Sequence, residues 1–389
     1  MPFLNLNFYN FRNLKNEKID LLSKEVYFVG ENGQGKSNIL EALYYCAYGN
    51  SFRTHSDSEI VKHGQKDFSI KAMYKDSRES LQSINIYYEN DKKRIEKNGK
   101  QIHDRKNLIN TMPCILFCHD DLDFVSGDPG RKRFFIDQSL SMYDVLYIDV
   151  IRKFKQVLKS RNILLKEKKY EMLDVYDIQL ANIGLEIQRK RKNSIFKFNE
   201  IFTKLYYEIT GIEDVRIVYE PSWKEIDDGI SKRIPTENEV IEILKSKREI
   251  DFIMSTTMSG PQRDKIKYVK NGMNFISIAS TGQRRLIALL LRVAQAVFFS
   301  QITREKPILL MDDVMLELDP LKRQKLTAML PEYDQLFCTF LPGEPYEKYK
   351  HSTTKVISIK DGYWSEWKKW NLSNEWNSYK CFWWSNESL

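Results

Sequence analysis

Through the first hundred residues, apolar and polar positions alternate with a period of two, the pattern of strands with one covered face. The runs LNLNFYNF at 4–11, FSIKAMY at 68–74, QSINIYYE at 82–89 and KRIEKNGKQI at 93–102 are predicted strands, and Asn98-Gly99 supplies a hairpin turn inside the last of them. EVYFVG at 25–30 and CILFCH at 114–119 are shorter apolar runs. The first of these leads through a Gly-rich loop into a helical pattern, SNILEALYYCAYG, at 37–49.

From about residue 130 the period changes. Tyr147, Val150, Ile151, Phe154, Val157 and Leu158 recur at three- and four-residue steps, as do Leu173, Tyr176, Leu180, Ile183 and Ile187. The second series breaks at QRKRKNS, residues 188–194, where Arg191 falls in an apolar slot, and resumes as Phe198, Phe202, Leu205 and Ile209 before Gly211. Two long antiparallel helices with Lys- and Arg-rich outer faces are expected, joined by a loop at 166–171. A strand at 215–221 and one helix over 239–256 follow.

The last third goes back to the α/β pattern of the first, with a strand, a helix over 284–299, then PILLMDD at 307–313, QLFCTFL at 335–341 and a closing hairpin at 356–364. The expected fold class is therefore α/β, a domain assembled from both ends of the chain (1–128 and 252–363) and interrupted by a mainly helical lobe at 129–251. Residues 364–389 form a Trp-rich tail. Trp364, Trp367 and Trp370 stand three apart, as along one side of a helical turn. Such a tail reads as one folded back on the body, with partner docking or base stacking as the sharper alternatives.

Composition narrows the class. With 42% hydrophobic and 29% charged residues, the chain belongs among globular proteins rather than disordered ones. Its start has no basic lead and no continuous apolar run, so no signal peptide is expected. No charge-free run of about 18 apolar residues is present, so neither a membrane-spanning helix nor a membrane partner is expected, and a cytoplasmic location is. Cys114, Cys118 and His119 sit close together, but within an apolar run that lacks a second ligand pair at zinc spacing, which reads as a buried strand. A net charge of +8 permits nucleic-acid binding without requiring it.

The chemistry concentrates in three strings. Gly30, Glu31, Asn32, Gly33, Gln34, Gly35, Lys36 and Ser37 match G-x-x-x-x-G-K-[ST] in full, directly after an apolar strand and before a helix. In that arrangement backbone N–H groups cradle phosphates, Lys36 reaches the β- and γ-phosphates, and Ser37 offers its hydroxyl to Mg²⁺. The strand 307–311 ends in two carboxylates. Asp312 is placed to hold Mg²⁺ on a strand beside the phosphate loop, and Asp313 to orient an attacking water and accept its proton. STGQRR, residues 280–285, opens the long apolar helix as a further anion-binding terminus.

In this order the strings resemble the ABC ATPase plan, in which a signature motif contacts the nucleotide held by a second subunit. Ser280, Thr281, Gly282 and Gln283 stand at its S-x-G-Q core, and Glu317, Leu318 and Asp319 resemble the D-loop. Within that superfamily the chain resembles the RecF family. The strings that carry the likeness are FYNFRNL, GENGQGKSNILEAL, SFRTHSDSEIVKHG, LFCHDDLDFVSGDPGRKRFFID, SGPQRDKI, STGQRR and LLMDDVMLELD, spanning residues 3–363 in family order. Departures are Gln262 where the family string usually has His, Leu316 in place of a small polar residue, Asp313 where most ABC ATPases carry Glu, and Thr339 in place of a switch histidine.

The resemblance implies an ABC/SMC-type P-loop head that binds ATP and Mg²⁺ and closes into a homodimer. Each subunit would cap the other's nucleotide through Ser280, Gly282 and Gln283. It also implies a clamp on duplex DNA near single-/double-strand junctions, a weak DNA-stimulated ATPase using Lys36, Asp312 and Asp313, and partnership with RecR, RecO and functionally RecA. Arg12, Arg53, Arg131, Lys132, Arg133 and the QRKRK run are candidate phosphate or DNA contacts, with a solvated face as the plainer reading of each. A RecF-like head serving another pathway such as defence, and a nucleotide-gated scaffold with negligible hydrolysis, are the alternatives.

Overall fold

A computed structural model describes residues 2–109, 111–227 and 232–366. The opening alternation becomes β1 (Phe3–Tyr9) and a short β2 (Lys18–Asp20), and the next apolar run becomes β3 (Glu25–Val29), followed by α1 (Lys36–Tyr48). Strands β4 (Phe68–Lys75), β5 (Leu81–Glu89), β6 (Lys92–Lys97) and β7 (Lys100–Ile102) then lead through a one-turn α2 (Lys106–Ile109) to β8 (Cys114–Phe117). The helical block comprises α3 (Asp123–Ser126), α4 (Pro129–Tyr143), α5 (Val145–Lys166) and α6 (Leu173–Thr210). After β9 (Val215–Glu220) and the small pair β10 (Ile226–Asp227) and β11 (Lys232–Arg233) come α7 (Glu237–Ser246) and α8 (Arg248–Met254). The chain closes with β12 (Lys265–Lys270), β13 (Met273–Asn274), α9 (Thr281–Thr303), β14 (Ile308–Met311), α10 (Pro320–Ala328), β15 (Gln335–Phe340), β16 (Lys355–Lys360) and β17 (Tyr363–Glu366).

Two six-stranded sheets carry the site. One is antiparallel, in the order β2-β1-β4-β5-β6-β7; the other runs β17-β16-β3-β15-β14-β8 and is parallel apart from the β16–β17 hairpin. The parallel sheet is covered on both faces, which is why its strands read as continuous apolar runs. Val26 and Phe28 of β3 join α1 and the antiparallel sheet in one core. Tyr27 and Val29 join α9 and the helical block in the other. Helix α9 is long and apolar enough to cross a membrane by composition alone, yet 72% of its most apolar stretch is buried inside the protein, as befits a central core helix.

Several expectations need correcting. The sheet order itself was not foreseen: β15 lies between β3 and β14, and the Asp312 strand still ends beside the phosphate loop. The break at residues 188–194 does not exist: α6 is a single helix of 38 residues, about 57 Å long at 1.5 Å per residue. Arg191 sits in the apolar slot because carboxylates wait there for it. Its guanidinium donates to Asp137 at 2.9 and 2.8 Å, to Asp264 at 2.8 Å and to the Pro261 carbonyl at 2.7 Å. The helix expected over 239–256 is two, α7 and α8, meeting at Lys247. Asp251 of α8 is drawn into the core by Arg161, at 2.7 Å. Helix α4 had a start signal, Asp128 capping the N–H groups of Gly130 and Arg131 with Pro129 at the first position, but was not foreseen as an element. Strand β12, from the C-terminal α/β segment, pairs along its length with β9 of the helical block. Trp364 lies on β17 rather than on a helical turn, its ring 5.6 Å from that of Phe8, and Trp367, Trp370, Trp376, Trp383 and Trp384 lie outside the described residues.

Candidate nucleotide-binding site

The site forms where β3, β14 and β15 all end. The Gly30 N–H donates to the Phe340 carbonyl of β15 at 3.2 Å, and a Cβ at Gly30 would lie 2.3 Å from the Ile359 carbonyl oxygen, so only glycine lets the chain leave the sheet there. Gly35, at φ +114°, turns the loop into α1. The outer rim of the loop is pinned from two sides. Asn13 donates to the Gly33 carbonyl at 3.2 Å, and from the β16–β17 turn the Gly362 N–H donates to the Gln34 carbonyl at 2.9 Å.

Inside the loop, Lys36 is 3% exposed and its Nζ donates to the carbonyls of Gly30 at 2.7 Å and Glu31 at 3.2 Å. A buried cation is thus held at the centre of a backbone nest, the charge a phosphate cradle requires. Ser37 Oγ donates to Asp312 Oδ1 at 2.7 Å, which brings the two predicted Mg²⁺ ligands together across 275 residues of chain. Asp312 is registered by its own N–H on the Phe117 carbonyl of β8, at 2.9 Å. Burial pushes the Asp312 carboxyl up, and the charge of Asp313 adds to that push, against the hydrogen bonds from Ser37 and Thr339. A hydroxyl and a carboxylate converging in a place that disfavours bare negative charge suit a small, hard cation, so the donor set fits Mg²⁺.

The intervening strand β15 contributes Thr339. Its hydroxyl lies 2.8 Å from Asp313 Oδ1 and 3.2 Å from Asp312 Oδ1, and it accepts the Asp313 N–H at 2.8 Å. Asp313 itself adopts φ +53°, turning its carboxylate back toward β15. Thr339, singled out as the counterpart of a switch residue, therefore stands between the two carboxylates. The sequence reasoning missed Glu344, on the loop after β15, whose carboxyl is raised by burial and by the nearby charge of Asp313.

Ser280 caps α9 in a reciprocal box with Gln283: Ser280 Oγ accepts the Gln283 N–H at 3.2 Å, and Gln283 Oε1 accepts the Ser280 N–H at 2.8 Å. The Ser280 O–H, the Gln283 amide N–H₂ and the N–H groups of Thr281 and Gly282 keep donors to spare at an exposed helix start. Among the described residues, no hydrogen bond joins Ser280, Gly282 or Gln283 to residues 30–37. In the D-loop string, Asp319 caps α10 by accepting the Lys322 N–H at 2.9 Å, and Leu318 is buried.

The candidate DNA contacts divide. Arg12 donates to Glu41 at 2.9 and 2.6 Å, and Arg53 donates to Asn38 at 2.7 Å and lies 3.6 Å from the same Glu41. Glu41 is fully buried on α1, so both arginines are anchored beside the helix that the phosphate loop opens, and Arg53 lies near enough to Asp312 to favour its charged form. A lone carboxylate between Leu40 and Ala42 was the signal for this anchor, and it went unread. Arg133 donates inward to the Asp264 carbonyl at 2.8 Å, and Lys132 is half-buried, 5.9 Å from the Tyr268 ring centre. Arg131 faces out. In the QRKRK run, Gln188 and Arg191 belong to the core, Lys190 and Lys192 pair with Asp144 and Glu225, and Arg189 is exposed.

The comparisons agree with this geometry. The sequence profile of the RecF/RecN/SMC N terminal domain matches residues 3–364. A DNA replication and repair protein RecF of Treponema pallidum (strain Nichols) is 48% identical over 355 residues, covering 91% of this chain and 98% of the relative. Its namesake from Clostridium perfringens is 33% identical over 367 residues, covering 93% and 99%. Among solved structures, the recombination mediator protein RecF with ATP superposes with a TM-score of 0.84 at 28% identity, covering 94% of this chain and 97% of that one. An SMC head bound to the C-terminal winged-helix domain of ScpA superposes with a TM-score of 0.56 at 15% identity, a likeness of fold alone.

Proposed function

The chain belongs to the RecF family of ABC/SMC-type ATPase heads, and from that premise we propose that it is an ATP-dependent DNA-binding protein of replication and recombinational repair. The observation that carries this reading is the Ser37–Asp312 hydrogen bond, which joins a complete phosphate loop to a carboxylate strand at 2.7 Å. Lys36 and the N–H groups of the loop would hold the phosphates of ATP, and Ser37 with Asp312 would hold Mg²⁺. When bound, Mg²⁺ neutralises charge on the phosphate oxygens.

The protein's own residues supply the rest of the reading. Asp313, held by Thr339, would accept a proton from water. The spare donors of Ser280, Gly282 and Gln283 face outward, available to a nucleotide held by a second copy, so that ATP would close two heads into a clamp on duplex DNA near single-/double-strand junctions. The same reading includes the division into a lobe of 1–128 with 252–363 and a helical lobe of 129–251, a cytoplasmic location, and work beside RecR and RecO in loading RecA. The hydroxyl clamp on a short carboxylate at Asp313 favours slow turnover, and at its limit a nucleotide-gated scaffold.

The test is duplex binding with and without ATP and Mg²⁺. Tight binding that requires both, falls steeply with salt and disappears in Lys36→Ala is expected, because the contacts go to phosphates. Nucleotide-independent binding of equal strength in wild type and variant would overturn the reading.

A further inference from the structure

A cleft of about 540 Å³ separates the antiparallel-sheet side of the molecule from the helical block, and none of residues 30–37 lines it. Its size falls within the range of ligand pockets. The floor is aromatic and aliphatic, with Tyr44 of α1 and Met142 of α4 buried and Ile148 and Ile151 of α5 half-buried. At the mouth stands Phe134, a phenylalanine 51% exposed, which leaves much of its ring open to solvent.

Charge around the cleft is asymmetric. The wall carboxylates are already engaged: Asp57 pairs with Lys93 at 2.8 Å and accepts from Tyr45 at 2.6 Å, and Asp137 is taken by Arg191 and by the Tyr147 hydroxyl at 2.7 Å. Two lining cations, Arg105 and Lys155, are exposed, and their side chains have no ion-pair or hydrogen-bond partner among the described residues. Arg152 is taken by Asp104, at 2.7 and 2.8 Å, and by Asp149, so the unpaired positive charge leaves the cleft along α5 as Lys155 and then Lys159, four residues on and about 6 Å further along the helix.

An apolar slot with an aromatic lip, uncompensated positive charge at its mouth and a cationic track leading away suits a flat heterocycle that carries a phosphodiester chain. Lys159 lies beyond the residues that line the cleft, so the positive charge continues past it, which favours a polymer over a free mononucleotide. We infer that the cleft takes one unpaired nucleotide of a single-stranded DNA segment, its base against Phe134 and its backbone along Arg105, Lys155 and Lys159. The inference rests on the DNA-binding reading above and gives that reading a place at which a junction is told from a plain duplex.

The experiment compares three DNA probes on the full chain with ATP and Mg²⁺, by fluorescence anisotropy: a blunt duplex, the same duplex with a short overhang, and that overhang made abasic. Wild type should bind the overhang roughly tenfold more tightly than the blunt duplex, and the abasic overhang should lose most of that gain. Phe134→Ala, and separately Arg105→Ala with Lys155→Ala, should bring the ratio toward one while leaving blunt-duplex affinity unchanged, and Phe134→Tyr should restore it. Arg105 and Lys155 are exposed and Phe134 about half so, and thermal unfolding of each variant checks that the fold is kept. A variant ratio equal to wild type, a loss shared equally by blunt and overhang probes, or deoxynucleoside monophosphate displacing the overhang at equal concentration per nucleotide would each overturn the inference. Failure of every probe to bind wild type would instead overturn the DNA-binding reading beneath it.

Discussion

Arg191→Ala separates two accounts of the basic run at 188–192. Read as a charged face, the run loses DNA affinity when Arg191 goes and keeps its stability. In the structure the reverse holds, because the Arg191 side chain is 4% exposed and meets an Asp264 carboxylate that is fully buried. Asp264 would still accept from Gln188 at 2.7 Å and from the Ser222 N–H at 2.8 Å, and Asp137 from Tyr147, so neither carboxylate is wholly stranded. What disappears is the guanidinium bonded to both carboxylates, and breaking a buried pair in this way costs about 3–5 kcal/mol. A thermal-unfolding midpoint lowered by several degrees is expected. Lys192→Ala, one residue on and exposed, should shift stability by no more than about 0.5 kcal/mol. A cycle with Asp264→Asn should give a coupling of about 0.5–3 kcal/mol. If Arg191→Ala unfolds with wild-type stability and instead loses duplex affinity, the buried-hub assignment is refuted.

Thr339→Val removes the hydroxyl shared by Asp312 and Asp313; single-turnover hydrolysis should fall about tenfold or more while ATP affinity stays within about threefold, and an unchanged rate would remove Thr339 from any positioning role. Glu25 gives a pH test at the far end of β3. Burial pushes its carboxyl up, but His351, Tyr333 and Thr354, at 3.0, 2.7 and 2.8 Å, together hold it below its ordinary 4.5. A lowered carboxyl contributes stability above its unfolded value and loses it as pH falls through the folded one. Glu25→Gln should therefore cost about 1–3 kcal/mol near pH 7. The difference from wild type should shrink below pH 4.5, and a difference that is constant with pH would contradict the assignment.

Much of this molecule was legible from spacing alone, because the parallel strands are covered on both faces and leave uninterrupted apolar runs. The phosphate loop was legible for a related reason: Gly30 and Gly35 are fixed by a close approach and a positive φ that other residues would strain. What stayed hidden were partners far apart in sequence. Nothing near Arg191 announces Asp264, and nothing near Arg12 announces Glu41, so a buried cation looks in sequence like a solvated one. The order of the sheet was hidden too, since β15, last of the three in sequence, lies between β3 and β14. Thr339 gains its place between the carboxylates from that position.

Solution mass with and without ATP and Mg²⁺, on wild type and Ser280→Arg, tests the central claim most directly. Ser280 is exposed at the start of α9 and shares no hydrogen bond with the phosphate loop of its own chain, so the bulky substitution should leave ATP binding intact. A wild type that doubles in mass only with both ligands, beside a Ser280→Arg protein that binds ATP yet stays monomeric, is the predicted result. A wild type that binds ATP and remains a monomer, or a Ser280→Arg protein that dimerises like wild type, would contradict it.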